Sequence, residues 1–298
     1  MTLNFRKTYM MRPVAGERLT TPVWRVFAFF MAIFGISSLA RGVITGIAVL
    51  LVPTISPTAS MLVQLFATVS TVAAVLVYCL CFEKRDLTSL GVIPRGILPE
   101  YAIGLVAGVL LFGGAVGIGV LAGSMSVAPA AEPPSVWLLL LFLVGYLIQG
   151  GSEELMCRSY LMVSLSRGWP VWAAVVSNAG MFALLHIFNP GISVIALLNI
   201  FLFGVLASLL ALKRGSIWMV AALHSAWNFA QGNLFGIPVS GLTGSPSPLT
   251  ATLSDGLTWV SGGDFGIEGG LAATAVLLLG CGIVLLLPTK SREVCPDA

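Results

Sequence analysis

Charge is scarce in this sequence. Twelve acidic and fifteen basic residues make up 9% of 298 positions, against 57% hydrophobic residues, and the mean hydropathy is +1.00. So few ionic groups cannot cover the surface of a soluble domain of this length, which leaves a polytopic, all-α membrane protein whose first partner is the lipid bilayer. A net charge of +3 is too thin for nucleic-acid binding. The five cysteines, Cys79, Cys81, Cys157, Cys281 and Cys295, are an odd and scattered set, which excludes a disulfide framework and a zinc ribbon. In Cys295-Pro296-Asp297-Ala298, proline and aspartate stand where a prenylation box has aliphatic residues, so the end reads as a free tail. No internal repeat is evident, which removes the usual sign of an inverted-repeat transporter.

Long apolar runs are abundant. They predict eight spans, at about 23–52, 59–82, 98–122, 136–165, 171–188, 192–212, 217–231 and 269–287. Arg6, Lys7, Arg12 and Arg18 before the first run, the 83–95 loop, Arg167, Lys213-Arg214, and Lys290 and Arg292 after the last fall on one side of that topology. No loop lysine or arginine falls on the other, so both termini are expected in the cytoplasm. The chain divides into a tail at 1–22, three spans at 23–135, a core of four spans at 136–241, and an outer loop, last span and tail at 242–298. Gly104-x-x-x-Gly108 and Gly113-x-x-x-Gly117 in span three are expected at close helix contacts. The stretch Gly232 to Glu268, rich in glycine, serine, proline and threonine, is expected to be flexible, with Trp259 and Phe265 available to the membrane surface.

Against that apolar background the exceptions carry the information. Arg41 interrupts span one and has no partner legible in the sequence. In span four, Glu154 and Arg158 are four apart with the acid first, the favourable order for a helical ion pair. Glu153 is turned by about 100° from Glu154 and has no helical partner of this kind, so it is the carboxylate free for chemistry. The chain has only two histidines, and both fall in predicted spans: His186 four after Phe182, and His224 four before Asn228. Measured from the cytoplasmic ends, Glu153, His186 and His224 lie at about 20, 24 and 13 Å, close enough in depth to share a cavity.

A carboxylate acting as general base, an imidazole holding water and an imidazole–amide pair facing an oxyanion together suit hydrolysis. The same Glu153, His186 and His224 could instead hold zinc, although no His-Glu-x-x-His run is present. Cys157, beside an ion pair and without a local histidine, reads as a small core residue.

Taken in order, Glu153-Glu154-x-x-x-Arg158, Phe182-x-x-x-His186 and His224-x-x-x-Asn228 resemble the motifs of the CPBP intramembrane proteases. That family, also called ABI, takes its name from CAAX proteases and bacteriocin-processing proteins. The resemblance runs from about Gln149 to Gly241, including the Asn189-Pro190-Gly191 turn. It implies an endopeptidase of membrane-associated peptides or proteins. Glu153 would be the base, His186 would help hold the water, and His224 with Asn228 would form the oxyanion site. Glu154, Arg158 and Phe182 would be supporting residues. Members have been described both as metalloproteases and as metal-independent glutamate proteases, so the resemblance leaves zinc open, and a metal-free site is the expectation here. Eukaryotic members trim prenylated CAAX proteins. The glycine- and alanine-rich chain with short loops reads as a protein of a bacterial cytoplasmic membrane, where such substrates are generally absent, so that specificity is not carried over. The competing class is a non-hydrolytic immunity or partner protein that binds a peptide in the same pocket.

Overall fold

The computed structural model describes Met10 and residues 23–52, 54–254 and 256–289. The basic residues of both tails and the Cys295 end lie outside the described residues. Eight helices organise the rest: α1 (Val23–Leu51), α2 (Pro57–Phe82), α3 (Ile97–Leu121), α4 (Val136–Ser166), α5 (Val171–Leu184), α6 (Val194–Arg214), α7 (Trp218–Phe229) and α8 (Leu271–Leu286). Five of them, α1, α2, α3, α4 and α6, are long and apolar enough to cross a membrane. The chain is a multi-pass membrane protein. Helices α5, α7 and α8, of 14, 12 and 16 residues, are shorter than the usual span.

Helix α7 is the hub, buried without a break from Met219 to Asn228 and packed between α3 and α4. Close approach to α3 depends on two of the predicted glycines. A Cβ at Gly104 would strike the Met219 carbonyl and stand 2.8 Å from the Ala222 Cβ; at Gly108 it would strike the Leu223 carbonyl and stand 2.8 Å from the Ala226 Cβ. Small residues thus face small residues, which maximises backbone contact where lipid offers no hydrophobic drive. Gly113 and Gly117 behave differently from expectation, since a Cβ at either would meet nothing within 4 Å. Gly108→Ala is therefore expected to lower stability by about 1–3 kcal/mol through overpacking, and Gly113→Ala to leave it unchanged, as read by thermal unfolding in detergent.

One amendment to the all-helical expectation concerns the predicted outer loops. Strand β1 (Met125–Pro129) pairs antiparallel with β2 (Leu249–Leu253), joining the loop after α3 to the long loop after α7. That long loop is also tied down by Glu268, whose carboxylate accepts hydrogen bonds from Trp227 Nε1 at 3.1 Å, Gln231 Nε2 at 3.2 Å, and Ser240 N and Oγ at 2.9 and 2.8 Å. Asn199 of α6 donates to the Glu268 carbonyl at 2.7 Å. The loop is fastened to the helices as a cap, and Phe265 is buried inside it, while Trp259 remains exposed as expected. Composition predicted flexibility because it does not register a single half-buried carboxylate with four donors.

Candidate active site

Helix α4 supplies the acidic residues. It runs as an α-helix to Glu154, and Leu155–Met162 then widens into π-helical turns, a distortion frequent at functional sites. The predicted pair forms there: Arg158 Nη1 lies 3.0 Å from Glu154 Oε1, with both side chains fully buried. Arg158 Nη2 donates to the Gly204 carbonyl of α6 at 3.3 Å, and the guanidinium sits 4.5 Å from the centre of the Phe182 ring. Phe182 thus supports the cluster from α5 by covering its cation.

Glu154 does more than neutralise Arg158. His224 Nδ1 lies 2.8 Å from the same Oε1, so Glu154 ties α4 to α7 directly. A carboxylate oxygen only accepts, so this contact assigns the proton of a neutral His224 to Nδ1 and leaves Nε2 as its other edge. Nε2 faces Glu153 Oε2 at 3.8 Å, beyond a direct hydrogen bond.

Glu153 has a helical partner after all. Gln149, one turn earlier, donates to Glu153 Oε1 at 2.7 Å, and its own Oε1 accepts from Asn228 Nδ2 at 3.0 Å. Gln149 therefore links the predicted base to the predicted oxyanion donor. Its signal was present in the sequence: a second polar residue four before Glu153 on one face of an apolar helix. The other carboxylate oxygen, Glu153 Oε2, is buried without a hydrogen-bond partner.

His186 is not helical, contrary to expectation. Helix α5 stops at Leu184, and His186 N and Ile187 N bond to carbonyls only three residues back, at 3.0 and 3.3 Å. Pro190 keeps the helix from resuming, because proline has no N–H to bond back to the His186 carbonyl and disfavours α geometry at Asn189. The Phe182–His186 relation survives: His186 Nδ1 lies 2.8 Å from the Phe182 carbonyl and the rings are 4.9 Å apart. A carbonyl also only accepts, so neutral His186 likewise carries its proton on Nδ1 and turns Nε2 outward.

These residues share one cavity of about 230 Å³, lined by Gln149, Glu153, Phe182, His186, His224 and Asn228. Phe203 of α6, which the sequence reading did not single out, closes it against the His224 ring at 4.9 Å in an edge-on arrangement. A histidine whose Nδ1–H is engaged and whose Nε2 is free suits either a water or a metal. Zinc, however, needs three donors gathered about one point, and no three His, Cys, Asp or Glu side chains among the described residues gather in that way.

Comparison with known proteins bears on the same stretch. No curated protein matches the chain. Residues 135–230 match the protein family described as "Type II CAAX prenyl endopeptidase Rce1-like". The match spans α4 to α7 and includes every predicted catalytic residue. Through this segment the chain carries a domain similar to the CAAX proteases of the CPBP family of membrane proteases.

Proposed function

We propose that this protein is an intramembrane endopeptidase that hydrolyses membrane-associated peptides or proteins with water activated by Glu153. The observation that carries the reading is Glu153 Oε2: a carboxylate oxygen buried without a partner, on the wall of a cavity, 3.8 Å from an imidazole edge that carries no proton in the neutral ring. A bare acceptor beside such a cavity is a place for a water molecule and its proton. In the proposed step Glu153 takes a proton from water as the oxygen attacks the scissile carbonyl, and His186 Nε2 helps hold that water. The tetrahedral oxyanion accepts from the second Nδ2 hydrogen of Asn228 and from His224 when Nε2 is protonated. Collapse expels the amine, which takes the proton from Glu153 and restores the carboxylate. Glu154, Arg158 and Phe182 hold His224 and α4 in register.

The proposed route uses no metal, in keeping with the donor geometry. A strong chelator such as 1,10-phenanthroline is expected to leave cleavage by the purified protein unchanged; loss of cleavage with recovery on added zinc would overturn this route.

The proposed topology has eight crossings with both termini in the cytoplasm. Short α5 and α7 meet this length because irregular turns continue them, π-helical at Ala230–Leu234 and the tightened turn at His186. Non-helical backbone at membrane depth is tolerable where it lines a protein cavity, as His186 does. Exposed tryptophans agree with the arrangement, Trp24 and Trp172 at one set of helix starts and Trp137 and Trp259 on the other side. With the family domain, these features support a multi-pass membrane protein, and the glycine- and alanine-rich composition makes a bacterial cytoplasmic membrane its proposed setting.

The test is terminal-peptide proteomics on membranes carrying the wild type or Glu153→Gln. New protein termini seen only with the wild type would identify the activity and its substrate. Identical termini, with the wild-type phenotype retained in both, would sink the catalytic role and favour the non-hydrolytic peptide-binding protein.

A further inference from the structure

Several basic groups held among the helices have carboxylate or carbonyl partners, and half-buried Arg41 stands apart from them. Arg158 has Glu154 and the Gly204 carbonyl; Arg85 has Glu83 and the Ser89 and Ser159 carbonyls. Lys213 donates to the Leu285 and Leu287 carbonyls at the end of α8, and Arg214 pairs with Glu100 at 3.2 Å. Arg41 has only a neutral hydroxyl: its Nη2 donates to Ser38 Oγ at 3.1 Å, while its Nε is buried without a partner. No carboxylate stands beside it among the described residues.

Position sharpens the anomaly. Arg41 lies ten residues from the end of α1 at Leu51, about 15 Å along the axis. It does not point to lipid. The exposed apolar residues of α1 include Ile36, Leu39, Val43 and Ile47, whereas Phe34 and Arg41, seven residues and two turns apart, line the cavity that holds Glu153, His186 and His224. From α2, Gln64, Thr68 and Thr71 add hydroxyl and amide groups to the same cavity. This wall lies outside the family-matched segment 135–230.

A guanidinium with unused donors on a cavity wall is a receptor for a planar anion, and a carboxylate matches its fork best. We propose that Arg41 binds a carboxylate of the peptide that occupies the cavity, supplied by a free C-terminus or by an acidic side chain. The assignment rests on the peptidase reading for the identity of the occupant and adds a charge requirement to it. Arg41 is then a substrate-selecting residue on α1, and the cavity has a reacting end on α4 to α7 and an anion-holding wall on α1. A lipid phosphate is the competing anion; the turn of Arg41 away from the apolar face of α1 argues for the peptide.

The experiment uses the full chain in phosphatidylcholine nanodiscs and three pools of apolar octapeptides labelled at the N-terminus with an uncharged BODIPY dye. One pool has a free C-terminus, one is amidated, and one is amidated with a single glutamate. Fluorescence anisotropy is expected to show one of the charged pools binding the wild type at least tenfold more tightly than the neutral pool, and the better of the two identifies the source. Arg41→Met should reduce that ratio to near one, with Arg41→Lys retaining part of it. Equal binding of all three pools by the wild type overturns the proposal without recourse to any variant. It is likewise overturned if Arg41→Met keeps the ratio, or if its only effect is reduced retention of added phosphatidylglycerol, which would assign Arg41 to lipid. Cleavage of the same pools by the wild type and by Glu153→Gln is read in parallel. Charge preference without cleavage would sink the peptidase reading and keep the subsite, whereas cleavage without preference would sink the subsite alone.

Discussion

Glu153→Gln is expected to lower kcat for peptide cleavage by about 10²–10⁴-fold with little change in KM, the range associated with loss of a positioned general base. Glutamine is the informative replacement because the local frame can survive it. Gln149 donates to Glu153 Oε1 at 2.7 Å, and an amide carbonyl at position 153 can accept the same bond. The Gln149 contact to Asn228 then persists as well. What disappears is the capacity of the second oxygen, buried and unpartnered, to take a proton from water. Steady-state kinetics on a peptide identified by the terminal mapping measure the effect. Retention of a tenth or more of the wild-type kcat would remove Glu153 from the role of base, whatever the stability of the variant.

The second large effect concerns stability. Arg158→Met should cost about 3–5 kcal/mol, since it strands a fully buried carboxylate beside His224, and Glu154→Gln should cost a similar amount by stranding the guanidinium. The double replacement should cost much less than the sum of the two, because neither charge is then left alone. Thermal unfolding of the four proteins in one detergent gives this cycle. Strict additivity would show that the two side chains act separately, against the 3.0 Å contact between them. The expected activities also differ. Arg158→Met keeps Glu154 on His224 Nδ1, so its loss of cleavage should track the loss of folded protein.

Much of the site was legible because lipid makes polar residues conspicuous. Glu153, Glu154, Arg158, His186, His224 and Asn228 stand out of apolar runs where charge and imidazole are costly. Four-residue spacing then correctly gave the Glu154–Arg158 pair and the Phe182–His186 neighbourhood. Spacing within one helix is silent about contacts between helices. It placed His224 beside Asn228, but their side chains go to different partners, Glu154 and Gln149, across the α4–α7 contact. It carried α5 through His186, whereas the helix ends at Leu184 and His186 lines the cavity from the tighter turn that follows.

What the sequence by itself determined is the membrane class, the approximate helix positions and the set of polar residues that must be sheltered together, because the cost of burying each of them depends on residue type alone. What only the tertiary structure decided is which of them meet. Gly104 rather than Gly113 admits a neighbouring helix, since only its face turns to α7. Glu154 rather than Glu153 holds His224 at 2.8 Å. Glu268, one of three acids in a long polar loop, becomes the anchor of a cap, and Arg41 comes to line the cavity of Glu153 although α1 is more than a hundred residues away. Contacts of that kind are set by how separate helices pack, and no local period along the chain encodes them.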